Sequence, residues 1–134
     1  MGPLSDDAIV VRAGMERDAK GMLEGLRERV DSLGEPPKLS VFATEIQPGE
    51  AMPDTLRRLC TEARARWGKV QVATARSLRT AGFTILDERN SREGPSHYHV
   101  DLGWPVSESV LDDFIGCFDE PIPSPLSTTE RKAL

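Results

Sequence analysis

Residues 69–104, KVQVATARSLRTAGFTILDERNSREGPSHYHVDLGW, decide how this chain is read. Val70 and Val72 alternate with Gln71 and Ala73, the period-two pattern of a strand with one buried face. Thr74 is placed to cap a short helix, in which Leu78 points inward and Arg76 and Arg79 face solvent, and Gly82 is placed to end it. Phe83 and Ile85 restart the alternation as a strand to about Leu86. The segment 87–96, DERNSREGPS, has no apolar residue and reads as a loop longer than the usual two to five residues of a hairpin. In the third strand Tyr98, Val100 and Leu102 share one face, and His97, His99 and Asp101 share the other. The two imidazoles then sit about 6.5–7 Å apart at Cα, near enough to address one phosphate, one proton or one metal ion. The same alternation is also the default for a strand with one wet face.

Outward from that stretch, 134 residues suffice for one domain with a proper core. Ala8–Arg12 (AIVVR) is a short buried strand. Met15, Ala19, Met22, Leu23, Leu26, Val30 and Leu33 recur at helical steps, supported by the Glu16–Lys20 pair and stopped by Gly34 and Pro36–Pro37. Leu39–Thr44 is a second strand, and a crossover of this length favours parallel pairing with the first. Pro53 and Asp54 open another helix, whose inner stripe is Leu56, Leu59, Cys60, Ala63 and Trp67, with Gly68 as its stop. Ser107 or Ser109 caps a last helix with Val110, Leu111, Phe114, Ile115 and Phe118 inward. The expectation is an α+β domain over residues 1–118: a mixed sheet of about five strands, with three longer helices and one short helix packed mainly on one face. Residues 119–134, DEPIPSPLSTTERKAL, read as a Pro-rich extended tail.

Composition narrows function by exclusion. A hydrophobic content of 38 % without a long apolar run leaves no membrane span, and the N-terminus lacks the charged-then-apolar pattern of a signal peptide. Cys60 and Cys117 fall on apolar helix faces and read as buried thiols, which fits a cytoplasmic, reducing address. The net charge of −5 is segregated: residues 1–53 carry −4, residues 54–92 carry +5 and residues 93–134 carry −6. The middle block holds Arg57, Arg58, Arg64, Arg66, Lys69, Arg76, Arg79, Arg89 and Arg92, a strip that could meet phosphates, an acidic partner or the chain's own acidic segments. The acidic total opposes nucleic-acid binding.

There is no phosphate-binding glycine loop, G-x-S-x-G elbow, H-E-x-x-H helix or paired Cys-x-x-Cys. His97 and His99 remain, with Asp101, Glu88 or Glu93 as companions, and could act as base and acid in phosphodiester cleavage. A metal would need a third ligand that the sequence does not identify, so no metal or cofactor is assigned. Arg12, Ser40 and a loop glutamate follow the arginine–serine–glutamate order of ADP-ribosyltransferases.

The segments VVRAG (10–14), LSVFAT (39–44), VATARSLRTAGFTIL (72–86) and SHYHV (96–100) resemble a group of small uncharacterised bacterial proteins. Those share a V-V-R-G-G start, an L/I-S-V-F strand, an L-R-A-A-G-F-like helix end and a histidine–aromatic strand. This chain has Ala13 where that pattern has glycine, and His99 where threonine is usual. The resemblance implies a common fold unit and no activity. The leading expectation is a binding or regulatory module, of toxin–antitoxin or immunity type, that meets a protein partner through Arg57, Arg58, Arg64, Arg76, Arg79, Arg89 and Arg92. The alternative is a small RNA-acting or nucleotide-processing enzyme built on His97 and His99, or an ADP-ribosyltransferase-like one.

Overall fold

A computed structural model describes residues 3–14, 18–92 and 94–134. The first helical positions expected, Met15 and Glu16, and the loop acid Glu93 lie outside the described residues. The fold is α+β, with six strands and five α-helices among the described residues. The strands are β1 (Ile9–Ala13), β2 (Lys38–Thr44), β3 (Lys69–Thr74), β4 (Ile85–Asp87), β5 (His97–Asp101) and β6 (Ile122–Pro123). The helices are α1 (Ala19–Arg27), α2 (Met52–Glu62), α3 (Ala75–Thr80), α4 (Glu108–Gly116) and α5 (Thr128–Lys132).

The sheet order is β4-β5-β2-β1-β3-β6 and every pairing is antiparallel. This corrects the parallel pairing expected of β1 and β2, and with it the mixed sheet. Connection length permits a crossover without requiring one. Strand direction depends on which end of the sheet the chain returns to, and hydrophobic periodicity does not encode that. Here α1 continues as a π-helical turn, Glu28–Ser32, lies over one face, and delivers the chain back to the end it left.

Helices cover both faces, which corrects the one-sided packing expected. On one face Val10, Val41, Ala43, Ala73, Tyr98 and Val100 meet Met22, Leu23 and Leu26 of α1, Leu78 of α3, and Leu111 and Phe114 of α4. On the other face Ile9, Val11, Val70 and Val72 meet Leu56, Leu59 and Cys60 of α2. Val10, Val11 and Val70 are therefore fully buried, and the near-continuous apolar run of β1 is the signature of a strand buried on both sides.

Local signals hold where the chemistry is local. Ser77 N–H donates to Thr74 Oγ1 (3.2 Å) at the start of α3, and Gly82, at φ +94°, ends it by letting Phe83 N–H reach Leu78 O (3.0 Å). Ser107, rather than Ser109, caps α4 through Val110 N–H (3.2 Å). The segment 119–134 corrects its reading as an extended tail. Asp119 N–H bonds Val72 O (2.8 Å), Ser124 N–H bonds Gly68 O (2.9 Å), β6 pairs the edge of β3, and Leu126 is buried in the second core. Prolines are tolerated here because β6 is an edge strand. Among the described residues no helix is long and apolar enough to cross a membrane.

Candidate functional site

β5 is extended, as expected, and turns Tyr98 and Val100 into the first core. At the two histidines its other face is not wet. His97 is 2 % exposed, and His99 keeps only 16 % of its side chain in contact with solvent. The reason is strand order: β2 and β4 flank β5, so Phe42 stands opposite His97, while Ser40 and Leu86 stand opposite His99. The Phe42 ring leans on the His97 imidazole, with centroids 5.3 Å apart at 47°.

Glu88, just beyond β4, ties the cluster together. Its Oε2 lies 3.1 Å from His97 Nδ1, its Oε1 lies 2.6 Å from His99 Nδ1, and Lys38 Nζ bonds the same Oε1. The hydrogen bond from Lys38 holds the Glu88 carboxyl below its ordinary value; burial opposes this, and the nearby histidine and lysine charges add to it. His99 Nδ1 meets Glu88 at ion-pair distance without a directed hydrogen bond. His97 is held from three sides: Glu88 and Ser91 Oγ (3.0 Å) at Nδ1, and Ser40 Oγ (3.1 Å) at Nε2. Ser91 Oγ is the hydrogen-bond partner of Nδ1, with the Glu88 carboxylate beside it at ion-pair distance; in the Nδ1–H tautomer, which that carboxylate favours, Nε2 accepts from the Ser40 hydroxyl.

Two clefts flank this cluster. One, of about 760 Å³ and wide open, is lined by Lys38, Glu88 and the loop residues Arg89 to Arg92. The other lies where β1 and β2 part. Their pairing stops at Val11–Phe42, whereas β1 stays paired with β3 to Ala13 and β2 with β5 to Lys38. This cleft of about 420 Å³ is lined by Arg12, Met22, Arg29, Leu39, Ser40 and Trp67. Ser40 is exposed there.

The remaining candidates disperse. Asp101 is exposed, and its carboxylate accepts from Gly103 N–H (3.0 Å) instead of joining the histidines. Arg12 extends over the first core, beside the Phe114 and Phe118 rings (5.6 and 5.7 Å), and bonds Gln71 Oε1 (2.6 Å). Ser40 faces the histidines, so the two reach the same cleft from opposite sides of the sheet.

The arginines do not form one strip. Arg57 pairs with Glu130, Arg58 with Glu50 and Glu62, Arg76 with Asp7, Arg79 with Asp6, and Arg89 with Asp87 while lying over the Tyr98 ring. Arg64 and Arg92 are exposed. Arg57 and Arg58 belong to α2 on one face, while Arg76 and Arg79 belong to α3, whose Leu78 packs on the other. The charge that segregates in sequence is thus largely met by carboxylates in space. Cys60 and Cys117 are free and lie in opposite cores, Cys60 buried and Cys117 partly so. Among the described residues no three His, Cys, Asp or Glu side chains are set to hold a metal ion.

The sequence groups Glu88 with His97 but puts Ser40 in a different site with Arg12, because the meeting of Ser40 and His97 depends on β2 flanking β5. It places Trp67 only in a core stripe and does not single out Arg29. No known protein family, curated protein or solved structure matches this chain.

Proposed function

We propose that this chain is a small binding module whose ligand site is the cleft between the parted ends of β1 and β2. The observation that carries the reading is the composition of that cleft. Trp67, Leu39 and Met22 supply apolar wall, and Arg29 and Arg12 supply fixed positive charge at its sides. A volume of about 420 Å³ suits a small molecule, and apolar walls with a few polar anchors are the usual make-up of such sites. The ligand class that matches is an apolar or aromatic body bearing one carboxylate, since guanidinium groups bind carboxylates through paired donors. A toxin–antitoxin or immunity role through an arginine surface has less support, because most of those arginines already meet carboxylates of the same chain. Phosphodiester cleavage by paired imidazoles likewise lacks support, since His97 is enclosed and Arg76 and Arg79 are engaged elsewhere.

The test uses 4-phenylbutyrate and its uncharged amide as probes, with Trp67 fluorescence read in a Trp104→Phe background. The carboxylate should change the emission saturably, the amide should bind more weakly, and Arg29→Gln should weaken the carboxylate by about tenfold, the worth of one charge-assisted contact. No saturable change, or equal binding of acid and amide, would sink the proposal.

A further inference from the structure

We infer that Ser40, His97 and Glu88 form a nucleophile–base–orienter relay, with Ser40 as an acyl-accepting group for esters of apolar carboxylic acids that enter the β1–β2 cleft. The inference rests on the cleft reading and adds chemistry to it. Three observations carry it. Ser40 Oγ lies 3.1 Å from His97 Nε2, while His97 Nδ1 is hydrogen-bonded to Ser91 Oγ (3.0 Å) and meets Glu88 Oε2 at ion-pair distance (3.1 Å), so the imidazole stands between a hydroxyl and a carboxylate through its two different nitrogens. That is the arrangement an activated serine requires: the base within reach, and the base itself oriented by a third group. Solvent access is graded in the matching sense, for Ser40 is exposed at the cleft while His97 is 2 % exposed behind it. A surface serine bonded merely to satisfy a core histidine would have no reason to line a cleft with apolar walls.

The third observation is backbone direction. Ala43 N–H bonds Ser96 O and Leu102 N–H bonds Pro37 O, so the odd-numbered residues of β2 point their backbone groups at β5. By antiparallel alternation Ser40 points its own N–H the other way, into the gap beyond the last β1–β2 pair. An N–H beside the nucleophile is the kind of donor that stabilises the developing oxyanion.

The step balances without an added reagent. Ser40 Oγ forms a bond to the ester carbonyl carbon as its proton passes to His97 Nε2. The C–O bond to the leaving alcohol breaks, and that oxygen takes the proton from the imidazolium. Water, deprotonated by the same Nε2, then cleaves the acyl-serine bond, releasing the carboxylic acid and restoring the Ser40 hydroxyl. Glu88 touches no reacting atom; it is a positioning residue.

The experiment is covalent labelling of the full chain with a small alkyl fluorophosphonate, followed by peptide mass mapping, with circular dichroism as the check on folding. Fluoride leaves as Oγ attacks phosphorus, so labelling reports the same nucleophile without demanding a known substrate. One adduct on the peptide containing Ser40 is expected, absent in Ser40→Ala, a change at an exposed position. The labelling rate should rise with pH through the titration of one group. Glu88→Gln should lower it by roughly 10²-fold, the scale of a lost general-base contribution, and Glu88→Asp should restore part of it. Absence of an adduct on the folded chain, equal labelling of Ser40→Ala, or a Glu88→Gln rate equal to the parent would each overturn the relay. Saturable 4-phenylbutyrate binding to the parent chain, read through Trp67, with no adduct at Ser40 would overturn the relay and leave the binding site standing, which separates the two failures.

Discussion

Gly14 follows β1 at a point where a β-carbon would lie 2.7 Å from the backbone carbon of Lys69 and the backbone nitrogen of Val70. Neither can give way without opening the β1–β3 ladder, which Gly14 N–H itself extends by bonding Lys69 O (2.8 Å). Gly14→Ala should therefore cost roughly 1–3 kcal/mol, the scale of overpacking against rigid neighbours, seen as a lower urea midpoint at unchanged slope. Glu50 offers a second test at this scale. The Arg58 hydrogen bond, with help from Thr55 Oγ1, lowers its carboxyl from 4.5 to about 2. A depressed carboxylate contributes stability that is present above its unfolded value and is lost as pH falls. The loss should run from about pH 4.5 to 2, and Glu50→Gln should flatten that part of the stability profile.

Among the elements, the second core depends on pieces far apart in the chain. α2 supplies Leu56, Leu59 and Cys60, and the C-terminal segment closes over them with Leu126, 3 % exposed. α5 behind it is short, and its start is fixed by reciprocal bonds between Ser127 and Glu130, while Arg57 of α2 reaches both Glu130 and Pro125 O. Leu126→Ala should cost about 2–4 kcal/mol, as for other buried leucines, a larger loss in thermal midpoint than for an exposed position such as Leu33. How far elements can be read from sequence follows from what kind of information makes them. Thr74, Gly82 and Ser107 act on their own neighbours, so α3 and α4 are legible residue by residue. The direction of β2 and the burial of Leu126 depend on distant partners and are not. The composition of 119–134 signals an irregular path and says nothing of whether that path is docked. For the site, the alternation of His97 and His99 is legible. Glu88 as their companion is legible too, whereas the flanking of β5 by β2, which makes Ser40 their neighbour, is not.

At the scale of the whole molecule, two cores on opposite faces of one sheet separate the two thiols. Cys60 is fully buried, with its pKa pushed up to about 11 by burial, and Cys117 is raised for the same reason but partly accessible. A disulfide-exchange reagent should react with one thiol per native chain, Cys117, and with the second only on unfolding; fast loss of both from the folded chain would contradict the packing described. The outer strands carry a different consequence. β4 has three residues and ends in Asp87, and β6 has two, one of them Pro123, which has no amide hydrogen to give. Borders so brief and chemically blunted offer a foreign segment almost no ladder to extend. Any assembly this protein enters should therefore be cemented by side chains over its helices and loops, and concentrated solutions should resist fibril growth seeded along the rims of the sheet.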